Sequence, residues 1–188
     1  MHVLVTGAGG FSGAEMTLGL LARGHRVTAA VRSNRGRLPE DAAQRGDLTV
    51  IAGDLAKDLA LPAKIDAIVH AAGRSPGPGV TMEDLVRDNV IATERLVRHA
   101  TNSGVHTFIL FSSLSVYGRI EAPVVDETTP VREPDAYGQA KRQAEDWVAA
   151  KGNSFRSLAL RLPGIIGHGS VRNWLTHVLA SARSGREI

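Results

Sequence analysis

Tyr137 and Lys141 stand four residues apart in a stretch whose pattern predicts a helix over residues 135–150. That spacing puts both side chains on one helix face. A phenol is a poor base at its ordinary pKa of about 10. A nearby ammonium would stabilise the phenolate and lower that value. Such a tyrosine can give and take the proton of an alcohol–carbonyl conversion. Ser113 follows a predicted strand over residues 107–112. At a strand end its hydroxyl could hold a substrate oxygen while hydride moves to or from a nicotinamide. A Tyr-x-x-x-Lys pair occurs often by chance. Its joint occurrence with a strand-end serine and a glycine turn is much rarer.

That glycine turn is Thr6-Gly7-Ala8-Gly9-Gly10-Phe11-Ser12-Gly13, between a predicted first strand, Val3–Val5, and a predicted helix over 11–23. A helix N-terminus offers unpaired N–H groups and the positive end of a dipole, which suits a pyrophosphate. Gly7 would allow the tight turn, Gly10 the approach of phosphates to the backbone, and Gly13 close packing of the helix. The G-x-x-G-x-x-G spacing is one residue longer than the commoner dinucleotide fingerprint. About twenty residues on, an acidic side chain would mark NAD by holding its ribose 2′-hydroxyl. The chain has Arg32 there. A guanidinium can instead accept a 2′-phosphate bidentately, so the expected cofactor is NADP, with NAD possible. Asp54-Leu55 and Ala71-Ala72 close two further predicted strands, and in an open parallel sheet such ends line the ligand crevice.

The remaining pattern supplies the frame. Strand candidates fall at 26–31, 48–52, 66–70 and 157–162, and helix candidates at 82–103 and 171–183. Residues 32–47, 75–79 and 119–134 read as loops, the first with room for a helical turn. Alternating strands and helices predict an α/β fold with a Rossmann-type doubly wound parallel sheet. A chain of 188 residues supports one domain with a substantial core. It holds 20 glycines and no cysteine, which excludes disulfides, thiolate catalysis and cysteine metal sites. The net charge of +3 is spread along the chain and aromatics make up 4%, a poor surface for nucleic acid. No apolar run is long enough to span a membrane and the N-terminus lacks a signal-peptide layout, so the expected location is cytoplasmic. The histidines show no metal-ligand spacing, and no metal is expected.

Together, Thr6-Gly7-x-x-Gly10-x-x-Gly13, Ser113-x-x-Val116-Tyr117-Gly118 and Tyr137-x-x-x-Lys141 resemble the extended short-chain dehydrogenase/reductase family, also called the NAD-dependent epimerase/dehydratase family. Asp54-Leu55, Asn89-Val90 with Thr93, Asp126-Glu127 before Pro130, and Leu160-Arg161 leading to Gly167 add to the likeness. The resemblance implies that Tyr137 is the acid/base, that Lys141 lowers its pKa and binds the nicotinamide ribose, and that Ser113 positions substrate. It implies pyrophosphate contacts from the backbone at Gly10, Phe11 and Ser12, and a place for Pro163 on the cofactor side. It also implies a homodimer built on the 82–103 and 135–150 helices, with a small-molecule substrate as the other partner.

Sugar dehydratases of this family carry an Asp-Glu pair directly after the serine or threonine. Leu114 and Ser115 stand there, which argues against dehydration. Many nucleotide-sugar members have an asparagine where Gly164 stands, so the likeness leans to a reductase or dehydrogenase acting on an alcohol or ketone. A nucleotide-sugar epimerase that retains its NAD is the alternative. A non-catalytic dinucleotide-binding regulator is the alternative of another class. Residues 1–170 are expected to form the dinucleotide-binding domain. Residues 171–188 are expected to lead toward a C-terminal substrate domain that is largely missing.

Overall fold

A computed structural model describes residues 1–33, 35–39, 41, 45–57, 59–170 and 174–185. Six parallel strands lie in the order β3-β2-β1-β4-β5-β6: β1 His2–Thr6, β2 Arg26–Val31, β3 Leu48–Ala52, β4 Ala67–His70, β5 Thr107–Ser113 and β6 Arg156–Leu162. The order reverses between β1 and β4, so their carboxyl ends open a crevice, the place where such sheets bind ligands. The expected α/β Rossmann-type sheet is the fold.

Alternation along each strand builds two cores. Val3, Val5, Val27, Ala29 and Val69 face one side with Ala14 and Leu21 of α1, Phe11–Ala22. Leu4, Ile68, Phe108 and Leu110 face the other, against Leu96, Val97 and Ala100 of α3, Ala92–Asn102, and Ala144 and Val148 of α4, Ala136–Ala149. A sheet buried on both faces needs apolar residues at both parities, and these strands have them.

The helix expected over 82–103 is not one regular α-helix. A capping box between Thr81 and Asp84 starts α2, Met82–Leu85. A π-helical segment follows, Val86–Ile91, before α3 begins. Wider turns of this kind concentrate at functional sites, and this one buries Asp88 and Asn89. The other bounds shift by a residue or so. The 3₁₀ turn Leu114–Tyr117 follows Ser113 directly, and Asp135 is the cap of α4 rather than its first residue. Helix α5 runs Trp174–Arg183, and the expected start at Val171 lies outside the described residues. Within 32–47, where a helical turn is allowed for, residues 34, 40 and 42–44 also lie outside the described residues.

Candidate active site

Helix α1 starts at Gly10 with no side chain capping it, which leaves its N-terminus to a ligand. Gly7 has φ +66°, and a Cβ there would lie 2.6 Å from the backbone nitrogen of Ala72. A Cβ on Gly13 would overlap the carbonyl oxygen of Gly7. The turn is therefore packed backbone on backbone against the end of β4. Gly13 presses on the turn itself rather than on the sheet.

Two hollows share this turn. One, of roughly 310 Å³, is lined by Gly7, Gly10, Arg32, Leu55, Ala71 and Ala72. The other, of roughly 840 Å³, brings together Ser113, Tyr137, Lys141 and Pro163. Phe11, Ser12 and Gly13 line that second hollow as well, and Gly7, Gly10, Ala71 and Ala72 border both. The shape suits an elongated dinucleotide: an adenosine end beside Arg32, a middle over the helix N-terminus, a reactive end beside Tyr137. Of the residues expected at the cofactor, Asp54 alone lines neither hollow. Its carboxylate accepts the Ala56 N–H at 3.0 Å and borders a shallow hollow with Lys57 and Leu59.

Tyr137 and Lys141 share the inner face of α4 as their spacing requires. Lys141 is 4% exposed, among Ala140, Ala144 and Val148. Burial lowers its pKa to about 8, and the Glu145 carboxylate acts in the opposite sense. The Ser113 side chain faces the Tyr137 phenol and donates to Ser115 Oγ at 3.1 Å. The Tyr137 pKa is raised, not lowered: burial outweighs the effect of the Ser113 hydroxyl, and Asp135 adds to the rise. The phenol is thus a neutral proton donor at neutral pH, contrary to the lowering expected from the Tyr–Lys spacing. The Ser113 hydroxyl also accepts the Ser115 N–H at 3.1 Å, which fixes it as the cap of the 3₁₀ turn. Gly138 explains how α4 comes so near. A Cβ there would run into the Ser115 carbonyl, so a glycine next to Tyr137 lets the helix sit on the serine turn.

Several contributors were not marked by spacing. The Asn89 amide accepts the Arg74 N–H at 3.2 Å and donates to the Arg74 carbonyl at 3.0 Å, bracing the strand end at Gly73. A Cβ on Gly73 would lie 2.6 Å from Asn89 Oδ1 and 3.8 Å from Lys141 Nζ, so that glycine is needed between them. Asp88, its side chain 2% exposed, binds three guanidiniums: Arg32 at 2.7 Å, Arg74 at 2.9 Å and Arg87 at 2.9 Å. Those bonds outweigh burial and hold its pKa at about 2. Arg37 stacks 5.2 Å over Phe11 and bonds the Gly169 carbonyl, linking the loops after β2 and β6.

His70, fully buried at the end of β4, has a definite tautomer. Thr93 Oγ1 donates to the Asn89 carbonyl at 2.5 Å, so it must accept from His70 Nε2–H at 3.0 Å. Nδ1 is then the acceptor for Thr6 Oγ1–H at 2.6 Å, and Thr6 in turn accepts the Ala72 N–H at 3.3 Å. Burial, with the Lys141 charge adding to it, lowers the His70 pKa from 6.5 to about 3. The unfolded chain therefore binds one more proton between those values. His70 contributes stability that is full above about pH 6.5 and drains away as pH falls toward 3. Unfolding free energies from urea titrations across that range should fall more steeply with falling pH for the parent than for His70→Asn. The expected difference in slope is up to about 1.4 kcal/mol per pH unit. Equal slopes would contradict it.

Comparison with known proteins closes the question of kinship. The model of the NAD dependent epimerase/dehydratase family matches residues 3–188. The chain belongs to this family. A 2-alkyl-3-oxoalkanoate reductase of Stenotrophomonas maltophilia (strain K279a) is 33% identical over 99% of this chain and 57% of its own length. A 3-beta-hydroxysteroid dehydrogenase of Mycolicibacterium neoaurum is 35% identical over 89% of this chain and 48% of its own. The UDP-glucose 4-epimerase of Erwinia amylovora is 32% identical over 89% and 54%. Among solved structures, MoeE5 in complex with UDP-glucuronic acid and NAD superposes with a TM-score of 0.81 at 29% identity, over 96% of this chain and 61% of that one. The chain thus spans about half the length of these curated family members. Among the described residues no helix is long and apolar enough to cross a membrane, and no group of three or more His, Asp or Glu could hold a metal.

Proposed function

We propose that this site performs hydride transfer between NADP and an alcohol or ketone, with Tyr137 as acid/base, Ser113 holding the substrate oxygen and Lys141 beside the nicotinamide ribose. The observation that carries the reading is one cleft bordered by the glycine turn and by all three of these side chains. The cofactor fits: glycines leave the backbone bare where phosphates must approach, and an uncapped helix start faces them. When bound, the nicotinamide supplies the hydride or takes it up. The chain's own part is to orient the carbonyl on Ser113 and to deliver the proton from the Tyr137 oxygen. Turnover with a panel of ketones and alcohols, read by nicotinamide absorbance, tests it. Absence of turnover in a cofactor-saturated full-length protein would favour the regulator reading.

The preference for NADP rests on Arg32, held in place by Asp88 beside Arg74. Only two of its five N–H groups are engaged in the bonds to Asp88, which leaves donors for a phosphate. Arg32→Ala is expected to weaken NADP binding by about tenfold or more and to leave NAD within about twofold. Tighter NAD binding by the parent protein, in calorimetric titrations, would defeat this. The epimerase reading draws on the UDP-sugar relatives. It requires nicotinamide that stays bound through purification, whereas a reductase exchanges it each turnover. A homodimer through the 82–103 and 135–150 helices goes with either activity and is supported by the exposed Met82 and Ile91. Sedimentation tests it. The reading keeps the cytoplasmic location expected from the amino-acid sequence.

A further inference from the structure

Glu145 continues the helix face of Tyr137 and Lys141 by one more turn, yet it borders the hollow under β6 rather than the catalytic cleft. It is 8% exposed. Ser112 Oγ donates to its Oε1 at 2.5 Å. Arg161 grips both oxygens, Nε to Oε1 at 3.0 Å and the terminal nitrogen to Oε2 at 2.7 Å. Arg161 is itself seated 4.6 Å over the Tyr117 ring, whose hydroxyl donates to the Asp126 carbonyl at 2.7 Å.

Each member of this network is next to a residue of the cleft. Ser112 precedes Ser113 on β5, Arg161 precedes Leu162 at the end of β6 with Pro163 just after it, and Glu145 is one turn beyond Lys141. One carboxylate therefore ties together the three elements that carry the chemistry. A buried ion pair of this kind adds little net stability over an apolar replacement. Its position behind the reacting groups calls for another explanation.

We propose that Glu145 is a positioning residue: clamped by Ser112 and Arg161, it sets the depth of α4 at which Tyr137 meets Ser113, and it holds a carboxylate one helical turn beyond Lys141. This rests on the catalytic reading of Tyr137 and Lys141, but its test needs no turnover. Among the described residues, the charged and titratable groups around Lys141 are few. Tyr137 and Glu145 share its helix, His70 faces it neutral from β4, and Arg161 reaches Glu145 from β6. Asn89, across Gly73, carries no charge. Arg142 pairs outward with Asp146 at 3.7 Å.

The test is a pH titration of the full chain labelled with ¹³C at the lysine ε-carbon. Lys57, Lys64, Lys141 and Lys151 give the signals, and Lys141→Arg assigns the one of interest. The Lys141 midpoint should lie near pH 8 in the parent. Glu145→Gln should move it down by about one unit. Arg161→Gln, which leaves the carboxylate uncompensated, should move it up. Both variants lower the melting temperature, so opposite shifts separate charge placement from mere loosening. Unchanged midpoints, or shifts of one sign, overturn the proposal. If Glu145→Gln does not fold, Arg161→Gln decides by its upward shift or the lack of one. Ser112→Ala decides in the same sense if neither charged variant folds. Lysine midpoints that move as expected while Tyr137→Phe keeps full turnover would remove the catalytic reading alone.

Discussion

Tyr137→Phe is expected to lower kcat by about two to four orders of magnitude, with dinucleotide affinity within about twofold of the parent. The substitution keeps the ring that fills the half-buried position beside Ala140 and Val90. It removes only the phenol oxygen, which faces Ser113 across the cleft. In the proposed reaction that oxygen is the proton donor for a developing alkoxide, so its loss should act on the rate of the chemical step rather than on binding. The raised pKa of the phenol gives the pH dependence a sign. Carbonyl reduction needs the neutral phenol and should be flat through neutral pH, falling only on the alkaline side. Alcohol oxidation needs the phenolate and should climb as pH rises. Lys141, at about 8, adds a second alkaline component as its ammonium is lost. Initial rates in both directions from pH 6 to 10 check this. A Tyr137→Phe protein with more than a tenth of parental kcat would end the proposal.

Gly13→Ala is expected to destabilise the chain by about 3 kcal/mol or more and to abolish measurable dinucleotide binding. The added Cβ meets only backbone atoms: the Gly7 carbonyl, with its carbon at 2.6 Å, and the Ala8 Cα at 3.0 Å. No side chain can swing aside, so α1 must lift away from the turn, and its N-terminus then no longer faces the cleft. Gly10→Ala is the informative partner. Its Cβ meets the Gly7 oxygen at 3.2 Å and nothing closer, so the fold should survive while the phosphate path narrows. Gly19→Ala, on the same helix with only the Arg23 guanidinium at 3.5 Å, should raise stability by about 0.5–1 kcal/mol. Thermal melts and cofactor titrations of the three variants distinguish the roles. A Gly13→Ala protein with normal affinity would refute the packing argument.

The sheet was legible because strand periodicity and glycine stops are local signals, and because both parities of β1, β4 and β5 are apolar. The convergence of Ser113, Tyr137 and Lys141 on one cleft was legible because a helix face and a strand end are fixed by short-range geometry. The π-helical segment was not, since hydropathy along 82–103 records which side is buried and not which carbonyl each N–H reaches. The arginine cluster on Asp88 joins residues 32, 74, 87 and 88, whose proximity exists only once β2 and β4 lie on either side of β1. The direction of the Tyr137 shift depended on depth of burial, which a four-residue spacing does not encode. Asp54 had the right strand-end position but caps its own turn, a competition that short acidic side chains often win locally.

The wide turn at Val86–Ile91 makes chain length itself a chemical variable. Losing one residue there would restore the ordinary repeat of about 3.6 residues, leaving the flanking turns nearly in place but shifting the side chains inside the segment by about 100°. The anchor for three arginines and the brace of the β4 loop would then rotate out together, although every residue type was kept. An insertion or deletion at this point would re-aim the Arg32 end of the cleft as surely as any point substitution.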